Sequence, residues 1–296
     1  MANSTDESTQ PVRELLHVIQ SIPTSDGAGV KLRRSIGSQR GLYLDPFLML
    51  DEFGTDNPGD YIAGFPDHPH RGFETVTYML DGRMQHRDHL GNVGNLGPGG
   101  VQWMTAGRGV IHSEMPLQES GRMRGFQLWI NLPAAEKMKP ASYCDIPAED
   151  IPVWQLDNGG SVKIIAGSLE LHNQIISGPI NSSARPLSTD PLYFDVILPP
   201  DGSFEHPIKP DYHAFIYCYE GSISVGDAKK SLPQQAAGVL TKEGVVKIRA
   251  GADGTRCIIL AGKPLREPVV QYGPFVMNTR EEIEQALQDY QTGRLI

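Results

Sequence analysis

Gly64-Phe-Pro-Asp-His-Pro-His-Arg-Gly-Phe-Glu-Thr-Val-Thr-Tyr78 and Gln102-Trp-Met-Thr-Ala-Gly-Arg-Gly-Val-Ile-His-Ser-Glu-Met-Pro116 are the two stretches that decide how this chain is read. They carry the short pairs His68-Pro69-His70 and His112-Ser113-Glu114. In a β-strand, residues i and i+2 point to one face. Each pair can therefore aim two donor groups into a common space. Two such strands side by side offer three imidazoles and one carboxylate to a cation. That set suits Fe(II), Mn(II), Ni(II), Cu(II) or Zn(II) and not the all-oxygen shells of Ca(II) and Mg(II). Glu74 shares a strand face with His70 and is an alternative carboxylate at this level of reading.

Around these stretches the chain reads as short strands between turn signals. Expected strands include Phe73–Leu80, Arg83–Arg87, Val101–Thr105, Met123–Asn131, Leu192–Leu198, Ala214–Tyr219, Ser222–Val225 and Cys257–Leu260. Punctuation comes from Asp81-Gly82, Gly97-Pro98-Gly99-Gly100, Pro199-Pro200-Asp201-Gly202 and Glu220-Gly221. Many short strands at this spacing predict an all-β sandwich or barrel. One helix is predicted at the C-terminus. Thr279 and Glu282 have capping-box spacing, and Ile283, Ala286, Leu287 and Tyr290 make an apolar stripe. The Gly97–Gly100 run lacks the Lys-Ser/Thr of a phosphate-binding loop and reads as a strand connection.

An internal repeat organises the whole. Tyr78-Met-Leu-Asp-Gly-Arg-Met-Gln-His-Arg-Asp88 lines up with Tyr217-Cys-Tyr-Glu-Gly-Ser-Ile-Ser-Val-Gly-Asp227. It predicts two similar β-domains: a polar, disordered tail over 1–13, a metal-binding domain over 14–135, a linker over 136–160 and a second domain over 161–296. The second copy lacks the paired donors. His206 falls near the His68 position without a second histidine two residues away, so His206 and His213 read as ordinary core or surface residues. His86 and His89 read as solvated loop residues, and His17 and His172 have no ligand-like spacing.

Composition bounds the function classes. The net charge is −9, and no Lys/Arg run is present, which argues against a direct nucleic-acid grip. No apolar stretch approaches membrane-spanning length, and the polar N-terminus is not a signal peptide. Three cysteines without a CxxC pattern fit a reducing compartment. The expectation is a cytoplasmic protein (nuclear as well, in a eukaryote), and the lack of an obvious apolar seam points to a monomer.

The two histidine-bearing stretches, together with Arg33-Arg-Ser-Ile-Gly37, Leu44-Asp-Pro-Phe47, Asp51-Glu-Phe53, Gln127-Leu-Trp129, Pro264-Leu-Arg-Glu-Pro268 and Gly273-Pro-Phe-Val-Met-Asn278, resemble the pirin family of cupins. The resemblance runs from about residue 14 to the terminal helix. It implies a bicupin of two antiparallel jelly-roll β-barrels with the metal in the first. It implies iron held by His68, His70, His112 and Glu114, with Glu114 ahead of Glu74 as the carboxylate and Glu74 left as a structural carboxylate or one that orients a ligand histidine. It also implies quercetin 2,3-dioxygenase activity on a flavonol with O2. Glu114 is then the candidate proton acceptor, and Phe53, Phe65, Phe73, Met104, Phe126 and Trp129 are candidate pocket or core residues. The alternative implied function is a metal-dependent protein that binds transcription regulators or enzymes, with Arg33 and Arg34 as candidate contacts. A cupin isomerase or sugar-binding protein is a third reading, since fold does not fix function.

Overall fold

The computed structural model describes residues 10–39, 41–171, 174–183 and 186–296. Two sheets build the N-terminal half. A seven-stranded sheet runs Ser142–Ile146, Val101–Thr105, Phe73–Asp81, Met123–Asn131, Phe47–Thr55, Val30–Arg34, Ile22–Asp26. A four-stranded sheet runs Phe65–His70, Val110–Pro116, Met84–Asp88, Val93–Leu96. Met84 and Leu96 of the smaller sheet pack against Leu32, Phe53, Met79 and Met123 of the larger, so the two lie face to face over a shared core. The C-terminal half is a nine-stranded antiparallel sheet. Two long strands hold it together, His213–Val225 and Val245–Gly262. This is the all-β bicupin class, but the sheets are open and not closed barrels.

The long strands correct the expected segmentation. Ala214–Tyr219 and Ser222–Val225 are one strand, not two. The Glu220-Gly221 turn signal is instead a bulge, with register shifts on either side and Gly221 at φ +74°. A Cβ at Gly221 would lie 2.3 Å from the Gly254 carbonyl, so glycine is required by close approach as well as by its dihedral. Bulges let a strand bend without ending, which a turn-residue reading cannot distinguish from a hairpin.

Chain ends cross between the halves. Leu15–Gln20 pairs with Ala236–Leu240 at the edge of the C-terminal sheet. Residues 1–9 of the expected tail lie outside the described residues. Arg13, placed in the same tail, is instead buried and donates to the carbonyls of Lys209, Tyr212, Thr241 and Gly244. The expected linker supplies an edge strand to each half, Ser142–Ile146 to one and Val153–Gln155 to the other. At the other end, the hairpin of Val270–Tyr272 with Phe275–Met277 and the helix Arg280–Gln291 return to the N-terminal half. The helix carries the expected capping box, with Thr279 and Glu282 bonded reciprocally. Its Ile283 and Ala286 pack with Phe275, Met277 and Leu295. Buried Lys137 fastens this clasp by donating to the carbonyls of Gly72 (2.7 Å) and Val276 (2.9 Å) and to Asn131 Oδ1 (2.6 Å).

The halves meet through a mixed apolar and polar layer. Phe126, Leu128 and Ile130 pack with Phe215, Tyr217 and Leu260. Tyr78 donates to Asp195 across this layer (2.6 Å), and Tyr217 donates back to Glu52 (2.8 Å). Tyr78 and Tyr217 are the two residues that head the repeated segments.

Candidate metal centre

Phe65–His70 is the edge strand of the four-stranded sheet, where the missing N–H of Pro69 is tolerated. It pairs antiparallel with Val110–Pro116, placing His68 opposite His112 and His70 opposite Val110. The ring centroids of His68, His70 and His112 are 4.3–4.9 Å apart. One nitrogen from each lies within 4.8 Å of the other two, close to the spacing that a shared ion requires.

The hydrogen bonds fit this donor set. His68 Nδ1 lies 2.8 Å from the Pro66 carbonyl, which places the proton there and leaves Nε2 with a lone pair. His112 Nδ1 lies 2.7 Å from His86 Nε2, while His112 Nε2 is buried with no partner. His70 Nδ1 is likewise buried and unpartnered. An orphaned buried nitrogen costs about 1–3 kcal/mol, and a cation would remove that cost for both rings. Burial, reinforced by neighbouring imidazoles, holds His70 and His112 well below the ordinary histidine range. They are therefore neutral at pH 7, the form that ligates a metal.

Glu114 stands apart from the cluster. A bulge between His112 and Glu114 pairs Glu114 with Phe65. The Glu114 carboxylate accepts from Thr77 Oγ1 (2.8 Å) and Gln127 Nε2 (3.0 Å). It still lines the same cavity as His68 and His70. Glu74 is buried on the larger sheet and accepts from Thr105 (2.7 Å), not from a histidine, so of the two expected roles its contacts are those of a structural carboxylate. Burial raises its pKa.

The residue in contact with His112 is His86. Read as a solvated loop histidine, it is instead buried on Met84–Asp88, opposite Glu114, with its ring against His112. The signal was the alternation of Met84 and His86 on one strand face, with apolar Met84 marking that face as inward. His89 stays in the connecting loop, partly exposed, where its Nδ1 accepts from Ile111 N. His172 lies outside the described residues.

The cavity measures about 630 Å³. Phe53, Phe65 and Trp129 line it; Phe73 packs edge-on to His70 at 5.0 Å, and Met104 and Phe126 belong to the core. Gln271, Gly273 and Pro274 of the C-terminal clasp complete the wall. Arg33 and Arg34, expected as free surface contacts, are committed inside the fold. Arg33 donates to Ser21, and Arg34 forms ion pairs with Asp51 and Asp26 at the cavity wall.

An all-β bicupin with three clustered imidazoles in one half, those of His70 and His112 neutral, is a cupin with a group able to hold a metal ion. Comparison with known proteins narrows the class. The Pirin family model matches residues 29–130, and the model for the pirin C-terminal cupin domain matches residues 193–296. A pirin-like protein of Caulobacter vibrioides is 49% identical over 284 residues, covering 96% of this chain and 99% of the relative. Pirin of Homo sapiens is 42% identical over 276 residues, covering 91% and 89%. A solved quercetin 2,3-dioxygenase from Acinetobacter baumannii superposes with a TM-score of 0.86 at 32% identity, covering 96% of this chain and 98% of that one. The chain belongs to the pirin family.

Proposed function

We propose that this protein is a metal-dependent dioxygenase that opens the central ring of a flavonol such as quercetin. His68, His70 and His112 hold the ion, with Glu114 completing the set or acting beside it. Fe(II) is the proposed metal, and Mn, Ni, Cu or Zn are substitutes the donor set also accepts. The observation that carries the reading is the pair of orphaned, buried nitrogens on His70 and His112, in a three-histidine cluster of which His68 and His70 line the cavity. Likeness to a solved quercetin 2,3-dioxygenase supports the substrate class.

When bound, the metal acidifies a coordinated hydroxyl and draws electron density from it. The chain's own residues do the rest. Glu114 accepts the proton of the flavonol 3-hydroxyl, and Thr77 and Gln127 hold its carboxylate at the cavity wall. Phe53, Phe65 and Trp129 seat the flat ring system and keep water out. Flavonol and O2 are consumed together, and carbon monoxide and the ring-opened ester leave. His86 fixes the orientation of His112.

Quercetin-dependent O2 uptake by Fe(II)-loaded protein, with His112→Ala beside it, tests this reading. Uptake with carbon monoxide formed by the wild type alone is expected. No uptake by protein shown to contain iron overturns it and leaves the metal-dependent interaction protein as the reading to pursue.

A further inference from the structure

His68 and His70 occupy one wall of the cavity. The wall on the facing sheet carries a second polar feature that the chemistry above does not use. Arg34 Nε and Nη2 grip Asp51 Oδ1 and Oδ2, both at 2.7 Å, and Nη2 also reaches Asp26 Oδ2 at 2.8 Å. Asp51 is buried, so the guanidinium is pinned in one orientation by a two-point bond. Arg34 Nη1 has no partner among the described residues. Asp26 is half-exposed, and each of its oxygens takes one donor, Gly27 N on Oδ1 and Arg34 on Oδ2, leaving further acceptor capacity on both. A fixed donor thus sits beside an open acceptor, and Leu32, Met49, Phe53 and Phe65 line the same cavity.

The charge on the walls narrows the ligand. Asp26, Asp51, Asp67 and Glu114 face Arg34 as the single guanidinium. Even with a divalent ion among the histidines, the cavity stays acidic and disfavours a carboxylate ligand. A neutral ring with two adjacent hydroxyls matches an acceptor next to a donor: one hydroxyl donates to Asp26 while its neighbour accepts from Arg34.

We propose that the Asp26–Arg34 pair recognises vicinal hydroxyls on the far ring of the ligand, making this a site for catechol-bearing neutral aromatics. This rests on the flavonol reading above and names the specificity residue within it. Asp26 is the residue to alter, because Arg34 and Asp51 neutralise each other inside the fold.

The test uses the full chain loaded with Zn(II) under anaerobic conditions, so that binding is read without turnover. Dissociation constants are measured for quercetin, which has the vicinal hydroxyls, and for 3,5,7-trihydroxyflavone, which lacks them. Wild type is expected to favour quercetin by about 10-fold, the scale of a charge-assisted hydrogen bond. Asp26→Asn should bring that ratio to within about 2-fold of unity and leave the trihydroxyflavone affinity unchanged. Asp26→Ala should do the same, separating lost recognition from a local rearrangement. Equal affinities in the wild type, or a preference that survives both substitutions, overturns the recognition role alone. Failure of both compounds to bind overturns it together with the flavonol reading.

Discussion

In the N-terminal half, the strand Phe65–His70 sets His68 opposite His112; in the C-terminal half, the strand Ser203–Pro207 sets His206 opposite Val246. Two residues along that strand, Phe204 lies opposite Ile248. There the His206 ring packs between Phe194 and Phe204 at 5.1 and 6.3 Å, buried in an apolar cluster that includes Val246 and Ile248. Among the described residues, the only three-histidine group able to hold a metal lies in the first half. Both halves keep the tyrosine that bonds across to the other, Tyr78 to Asp195 and Tyr217 to Glu52. The contrast separates two layers of information. The repeated tyrosines belong to the shared fold and its assembly, and the histidines belong to a site that the fold carries without needing.

The largest test of that contrast is a pair of substitutions. His112→Ala should reduce bound metal from about one ion per chain to below about 0.1, whereas His206→Ala should leave metal content unchanged. Elemental analysis after gel filtration reads both, and a loss with His206→Ala would break the comparison.

Acid sharpens it. Burial pushes His206 down to about 4, so the folded chain holds the ring neutral. Its folded pKa lies below the unfolded value near 6.5, so this contribution is fully present above that pH and is lost as pH falls through 4. The expected loss by pH 4 is about 3 kcal/mol. Urea unfolding of wild type and His206→Leu between pH 7 and 4.5 isolates it. The substitution should flatten the slope, and an unchanged slope would show that His206 is not buried as a neutral ring.

A smaller effect belongs to the residue behind the site. His86→Phe removes the bond to His112 Nδ1 while keeping a ring of similar size. Metal affinity should fall about 10–100-fold, measured by competition with a chromophoric chelator. Unchanged affinity would reduce His86 to packing.

Much of this was legible in the sequence. Strand periodicity and turn residues located Val101–Thr105, Met123–Asn131 and Leu192–Leu198, and the capping box located the terminal helix. The i, i+2 spacing and the pirin-like motifs named His68, His70 and His112, which the fold brings together. What was not legible depends on pairing between distant segments. The bulge that sets Glu114 beside Thr77 and Gln127 is a property of two strands, and no single stretch encodes it. His86 gains its meaning only when its strand is laid against Glu114 and His112. The exchange of Leu15–Gln20 and of the terminal hairpin between halves is long-range, and local polarity near residue 13 pointed the other way. Arg34 looked like surface because its partners, Asp26 and Asp51, lie on neighbouring strands.

The central claim is that one metal ion sits among His68, His70 and His112. The most direct measurement is an anomalous-scattering map from crystals of Fe(II)-loaded protein collected at the iron edge. The account predicts one strong peak within about 2.3 Å of a nitrogen from each of the three histidines. A protein that carries iron yet shows its peak elsewhere, or none at this position, would contradict it.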